Sequence, residues 1–129
     1  MTSRSLLLID NNNDYTELVK LFLEQSTEWQ IITALDGEEG IKKALLEQPD
    51  LILVDLAMPD IDGVAVYKIL KSDLSTCYIP TVFITAMVGV EKMICSEANA
   101  DVEIITKPMD LTVLKDCISD LYARYLSFS

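Results

Sequence analysis

The sequence of 129 residues predicts an α/β protein: a doubly wound, five-stranded parallel sheet with five helices covering its two faces. Three observations carry this. Five short apolar runs recur, at residues 6–9, 30–34, 51–54, 81–84 and 102–105. Several are continuous rather than alternating, as in strands buried by helices on both sides. Segments with apolar residues at helical spacing lie between them, so strand and helix alternate strictly, which implies parallel pairing through right-handed crossovers.

Taken in order, LLLI at 6–9 ends on Asp10 and precedes a stripe of Tyr15, Leu18, Val19, Phe22 and Leu23. QIITA at 30–34 leads to Asp36 and a shorter stripe of Ile41, Ala44 and Leu45. LILV at 51–54 runs straight into Asp55; beyond it Pro59 fixes a turn, Gly63 supplies backbone freedom, and Val66, Ile69 and Leu70 mark the third helix. In that loop Met58 reads as a packing residue and Asp60 as a solvated one. TVFI at 81–84 ends at Thr85, before a weaker stripe of Val90, Met93 and Ile94. The run at 102–105 precedes Lys107 and Pro108, and the longest stripe follows: Leu111, Leu114, Ile118, Leu121, Tyr122 and Tyr125. Asp14, Asp36, Asp62 and Asp110 stand at or near helix starts, where a short acceptor suits the free backbone N–H groups.

Composition narrows the function. Half the residues are hydrophobic, enough for the core of one domain spanning residues 1–129. No apolar run approaches the length of a membrane helix, and the start does not read as a signal peptide, so a cytoplasmic protein is expected. The net charge of -11 argues against a nucleic-acid-binding surface. Cys77, Cys95 and Cys117 form no CxxC pair and read as buried, reduced thiols. The chain contains no histidine, which excludes Ser-His and Cys-His catalysis, histidine-ligated metals and a histidine phosphotransfer role.

The strand ends are polar. Asp10, Asp55 and Thr85 close the first, third and fourth strands, and Lys107 follows the fifth. All C-terminal ends of a parallel sheet share one edge, where open α/β sheets bind their ligands. Singly, each residue has a plain reading as a cap, a loop residue, a strand residue or a surface lysine. Together they place two carboxylates, a hydroxyl and an ammonium on one rim.

With IDNNND (9–14), DLAMPDIDG (55–63), FITA (83–86) and TKP (106–108) in this order and spacing, the chain resembles the receiver domains of two-component response regulators over essentially its full length. The resemblance implies the flavodoxin-like strand order 2-1-3-4-5. It implies Asp55 as phosphoacceptor, Thr85 as the switch hydroxyl and Lys107 as the lysine that pairs with Asp55 and then with a phosphoryl oxygen. It implies an Mg²⁺ site from Asp10, Asn11, Asp55 and the backbone carbonyl of Ala57, and a Lys107–Pro108 bond that is often cis in the family. The phosphoryl donor would be a phosphohistidine on a sensor histidine kinase or a histidine phosphotransfer protein. The fourth helix, fifth strand and fifth helix would form the responding surface, with a homodimer through it as one outcome.

Three departures qualify the match. Asn11 stands where most members carry a second acid, which predicts weaker Mg²⁺ binding. Ile104 replaces the usual Tyr or Phe three residues before the lysine, and Met109 replaces a common Phe. Ala57 and Met87 flank the phosphoryl site without a group to orient water, which predicts slow loss of the phosphoryl group. The leading alternative is a degenerate receiver acting as an interaction module. An aspartyl phosphohydrolase lacks its second acid because Ala57 stands there. A flavin-binding flavodoxin lacks a Ser/Thr/Gly-rich phosphate loop.

Overall fold

Every predicted strand pairs with its neighbours in one sheet. A computed structural model describes residues 4–107 and 110–126. The elements are β1 (Arg4–Ile9), α1 (Asn13–Ser26), β2 (Trp29–Ala34), α2 (Gly37–Glu47), β3 (Leu51–Asp55), α3 (Gly63–Ser72), β4 (Thr81–Thr85), α4 (Glu91–Ala98), β5 (Ile104–Thr106) and α5 (Leu111–Leu126). The sheet order is β2-β1-β3-β4-β5 and every pairing is parallel. Pro108 and Met109, and with them the Lys107–Pro108 bond, lie outside the described residues.

The continuous apolar runs have the predicted cause. Leu6 and Leu8 of β1 face one core with Val19 and Leu23 of α1 and Leu114, Ile118 and Leu121 of α5. Leu7 and Ile9 face the other, with Ala44 of α2, Val66 and Leu70 of α3 and Ile94 of α4. Each such side chain removed from water contributes roughly 1.5–3 kcal/mol, so a strand apolar on both faces is firmly held between the two helical layers.

Some expectations need correction. The fifth strand runs Ile104–Thr106 rather than 102–105, because pairing to β4 begins only at Phe83 opposite Ile104. Glu103 lies just before it and reaches across to Arg124, 3.0 Å away. The helical stripes are narrower than read: Leu18, Leu45, Ile69, Met93 and Tyr125 are exposed. In α1 the third buried position is instead Thr16, whose hydroxyl donates to the Asn13 carbonyl at 2.9 Å. The cysteines are free, but Cys77 is exposed and Cys95 and Cys117 are half-buried, so they are not core thiols.

Caps follow the short polar residues. Asn12 accepts from the Tyr15 N–H at 3.0 Å, with Asp14 in the first turn of α1. Asp36 caps α2 through the Glu39 N–H at 2.7 Å, Asp62 caps α3 through the Ala65 N–H at 2.9 Å, and Asp110 accepts from the Thr112 N–H at 2.8 Å. At the strands' starting edge Trp29 meets Tyr122 edge-on, ring centroids 5.1 Å apart, with the Arg4 guanidinium 4.8 Å from the Tyr122 ring centre. No helix among the described residues is long and apolar enough to cross a membrane.

Candidate functional site

β1 delivers Asp10 to the far edge. The Asp10 N–H donates to the Ala34 carbonyl at 3.0 Å, extending the β1–β2 ladder by one residue, and its side chain is fully buried. One carboxylate oxygen accepts from the Asn12 N–H at 3.0 Å; the other accepts from the Lys107 ammonium. β3 delivers Asp55, 8% exposed, with Oδ2 lying 3.6 Å from Lys107 Nζ. Its Oδ1 accepts a long contact from the Ala57 N–H at 3.4 Å. The apolar run at 51–54 therefore ends on a carboxylate because a largely buried ammonium and a second acid share the rim with it.

The lysine is nearer to Asp10 than to Asp55, whereas the sequence suggested Asp55 as its first partner. Asp55 is thereby left with the longer of the two ion pairs to Lys107, at 3.6 Å. Burial, with Asp10 adding to it, raises its carboxyl above the usual range, against the opposing pull of Lys107. Two carboxylates against one ammonium leave the ionised pocket with a net negative charge.

Thr85 ends β4 and is buried; its hydroxyl oxygen accepts from the Met87 N–H at 3.0 Å. Asn11 lies exposed at the rim and makes no side-chain hydrogen bond among the described residues. Ala57 is exposed on the loop after β3. Ile104 is half-buried at the start of β5, packed on the α2–α3–α4 core.

Two residues carry more than the sequence suggested. Asp60 is exposed, but it is not merely solvated: its two oxygens accept from the Gly37 and Glu38 N–H groups at 3.0 and 2.9 Å. It thus ties the loop after Asp55 to the start of α2, and these bonds lower its carboxyl pKa. Nothing local in the sequence marks a contact across more than twenty residues. Tyr15, read as an apolar-stripe residue, lies with its ring centre 4.5 Å from Lys107 Nζ. A phenol inside such a stripe needs an outlet for its hydroxyl, and that was the available signal.

The family description "Response regulator receiver domain" matches residues 6–119. The chain belongs to the response regulator receiver domain family. The receiver domain is 36% identical over 107 residues to the alkaline phosphatase synthesis transcriptional regulatory protein PhoP of Bacillus subtilis, covering 82% of this chain and 43% of that one. It is 33% identical to the response regulator PleD of Caulobacter vibrioides, covering 87% of this chain and 24% of PleD. The chain thus spans less than half the length of either regulator. Protein PilH of Pseudomonas aeruginosa is 28% identical, with 92% of this chain and 97% of PilH covered. Among solved structures, a CheY-like receiver domain protein from Methanospirillum hungatei superposes with a TM-score of 0.86 at 20% identity, over 99% of this chain and all of that one, which establishes the shared fold.

Receiver domains are signalling switches that take part in two-component systems with histidine kinases or phosphotransfer proteins, and they generally bind Mg²⁺ at the acidic pocket. The donors present in this receiver domain suit that ion. Mg²⁺ takes hard oxygens, usually one or two carboxylates with several waters. Asp10 and Asp55 supply two carboxylates at an electronegative rim; the Asn11 amide and the Ala57 carbonyl are further oxygen donors nearby in the chain. Among the described residues no group of three or more His, Cys, Asp or Glu side chains gathers to hold a metal.

Proposed function

We propose that Asp55 accepts a phosphoryl group from a phosphohistidine of a sensor histidine kinase or a histidine phosphotransfer protein. A carboxylate oxygen of Asp55 forms the new O–P bond as the P–N bond to the donor imidazole breaks, and the leaving imidazole keeps the bonding electron pair. The reading rests on one observation above all: Asp10, Asp55 and Lys107 meet, largely buried, at the carboxyl edge of the parallel sheet.

Carboxylate attack on a phosphoryl group brings like charges together, so cations must offset the repulsion. Lys107 supplies one and is placed to shift from Asp10 toward a phosphoryl oxygen on Asp55. Asp10, Asn11, Asp55 and the Ala57 carbonyl would hold Mg²⁺, which supplies further charge neutralisation when bound. The Thr85 hydroxyl accepts from Met87, which leaves its own proton available to donate to a phosphoryl oxygen. Ala57 and Met87 offer no side-chain group to orient attacking water, so the phosphoryl group is long-lived. Phosphorylation adds about -1.5 to -2 charges at neutral pH, enough to bias the α4–β5–α5 surface toward a partner or a second copy. In this reading residues 1–129 form one receiver domain, working in the cytoplasm through proteins rather than nucleic acid.

A second reading has specific support. Asn11 and Ile104 depart from the family pattern, and both favour a degenerate receiver that binds partners without efficient phosphotransfer. Incubation with Mg²⁺ and phosphoramidate, followed by intact mass, separates the two. The proposal expects one phosphoryl group on the wild type and none on Asp55→Asn. A wild type that stays unmodified, and that shows no NMR change with beryllofluoride and Mg²⁺, would establish the degenerate reading.

A further inference from the structure

We propose that Tyr15 is a positioning residue for Lys107: its ring face holds the ammonium at the acid pocket. The inference rests on the phosphoacceptor reading for its consequence, but its geometry stands without it.

Lys107 sits on the edge of the sheet, directly after a strand of three residues. Such a lysine has a flexible stem, and little of the backbone fixes where its amine rests. Three groups surround that amine: the Asp10 carboxylate, Asp55 Oδ2 at 3.6 Å, and the Tyr15 ring centre at 4.5 Å. The ring distance lies well inside the range of a cation–π contact, and the side chain of Lys107 is only 14% exposed, so the contact is largely sheltered from water.

Tyr15 itself is held from two sides. Its backbone N–H is the donor that Asn12 caps at the start of α1, and its ring packs against the core between α1, α5 and the sheet. An ordinary core tyrosine also finds a partner for its hydroxyl. This one does not: Tyr15 Oη is buried and is the single side-chain polar atom without a hydrogen bond among the described buried residues. The phenol is kept neutral, its pKa pushed up to about 12 by burial and then by the carboxylates of Asp10 and Asp55. A neutral ring offers its face to the ammonium without competing as an anion. A group that leaves its polar end unsatisfied yet presents its face to the active-site cation is placed for the face.

The ring matters most once Asp10 is engaged elsewhere. Any cation taken up by Asp10 competes with Lys107 for the same carboxylate. The aromatic face is then the contact that keeps the ammonium within reach of Asp55 and of a phosphoryl group there.

The test compares Tyr15→Phe with Tyr15→Leu in the full chain. An amine above a ring face carries a ring-current shift on its neighbouring methylene. In the unphosphorylated protein the Lys107 ε-methylene signal should lie upfield in wild type and in Tyr15→Phe, and should return to the ordinary lysine position in Tyr15→Leu. Phosphorylation by phosphoramidate should be retained by Tyr15→Phe and slowed roughly tenfold by Tyr15→Leu, with folding of each variant verified by urea denaturation. An ordinary lysine shift in the wild type would overturn the proposal, and so would a Tyr15→Phe variant as slow as Tyr15→Leu. A wild type with the upfield signal but no phosphorylation would leave the positioning intact and sink the phosphoacceptor reading instead.

Discussion

Gly63 is the position where the smallest perturbation should reach Asp55, the proposed phosphoacceptor. It opens α3, its N–H donates to the Leu56 carbonyl at 2.9 Å, and its missing side chain faces the end of β3. A Cβ built there would lie 2.9 Å from Leu56 Cα and 3.0 Å from the Asp55 carbonyl carbon, and closer still to the Asp55 carbonyl oxygen. All three are backbone atoms, so no rotamer change relieves the contact. Ordinary contact begins near 3.4 Å, so the start of α3 and the end of β3 must part by about 0.5 Å or more. Overpacking of this kind costs about 1–3 kcal/mol. The helix preference of alanine over glycine returns at most about 1 kcal/mol, and less at a first-turn position. Gly63→Ala should therefore lose on the order of 1–2 kcal/mol, read as a lower urea midpoint with an unchanged slope. Because the displaced carbonyl belongs to Asp55, beryllofluoride affinity should fall as well. A variant as stable as wild type, with equal affinity, would refute the idea that this close approach fixes the loop.

Four further expectations concern the pocket. Asp55 has a raised carboxyl pKa, so the folded state binds that proton more tightly than the unfolded chain; the penalty of its ionised form is absent below the unfolded pKa and grows as pH rises through the folded one. Asp55→Asn should thus be more stable than wild type at neutral pH, with the advantage vanishing in acid; urea midpoints that favour the variant most at low pH would contradict the sign. Asn11→Asp should tighten Mg²⁺ by about an order of magnitude in an NMR titration, and equal or weaker binding would show that the missing charge is not limiting. Asp60→Ala should speed amide hydrogen exchange at Gly37 and Glu38, the two donors it accepts from, and unchanged exchange would mean that the contact is idle. Ala57→Asn and Met87→Glu should each shorten the lifetime of the phosphorylated form; decay no faster than wild type would remove the water-positioning account.

The acid pocket was legible because sheet topology converts sequence position into place. Once five strands are parallel, Asp10, Asp55, Thr85 and Lys107 must lie on one edge, whatever the details of packing. The Asp36, Asp62 and Asp110 caps were legible for a local reason, since their acceptors reach only two or three residues ahead. What stayed hidden depends on approach between distant segments. Asp60 meets α2 because the loop after β3 folds back over it, and Tyr15 meets Lys107 because α1 and the end of β5 converge. The width of a helix's buried face is also a tertiary matter: α2 buries Gly37, Gly40 and Ala44, and its seat is close enough that a Cβ at Gly40 would come within 2.5 Å of Ile9 Cδ1. Leu45 therefore stays outside although the spacing favours it.

The lone indole sets a practical limit on optical assays. Trp29 pairs with Arg4 at the opposite end of the strands from the carboxylates, enclosed by Tyr122 and a guanidinium. Its emission should follow unfolding faithfully and respond little to events at the rim. Metal uptake and phosphorylation call instead for a dye or a tryptophan introduced beside Met87, where the exposed side chain leaves room for a reporter.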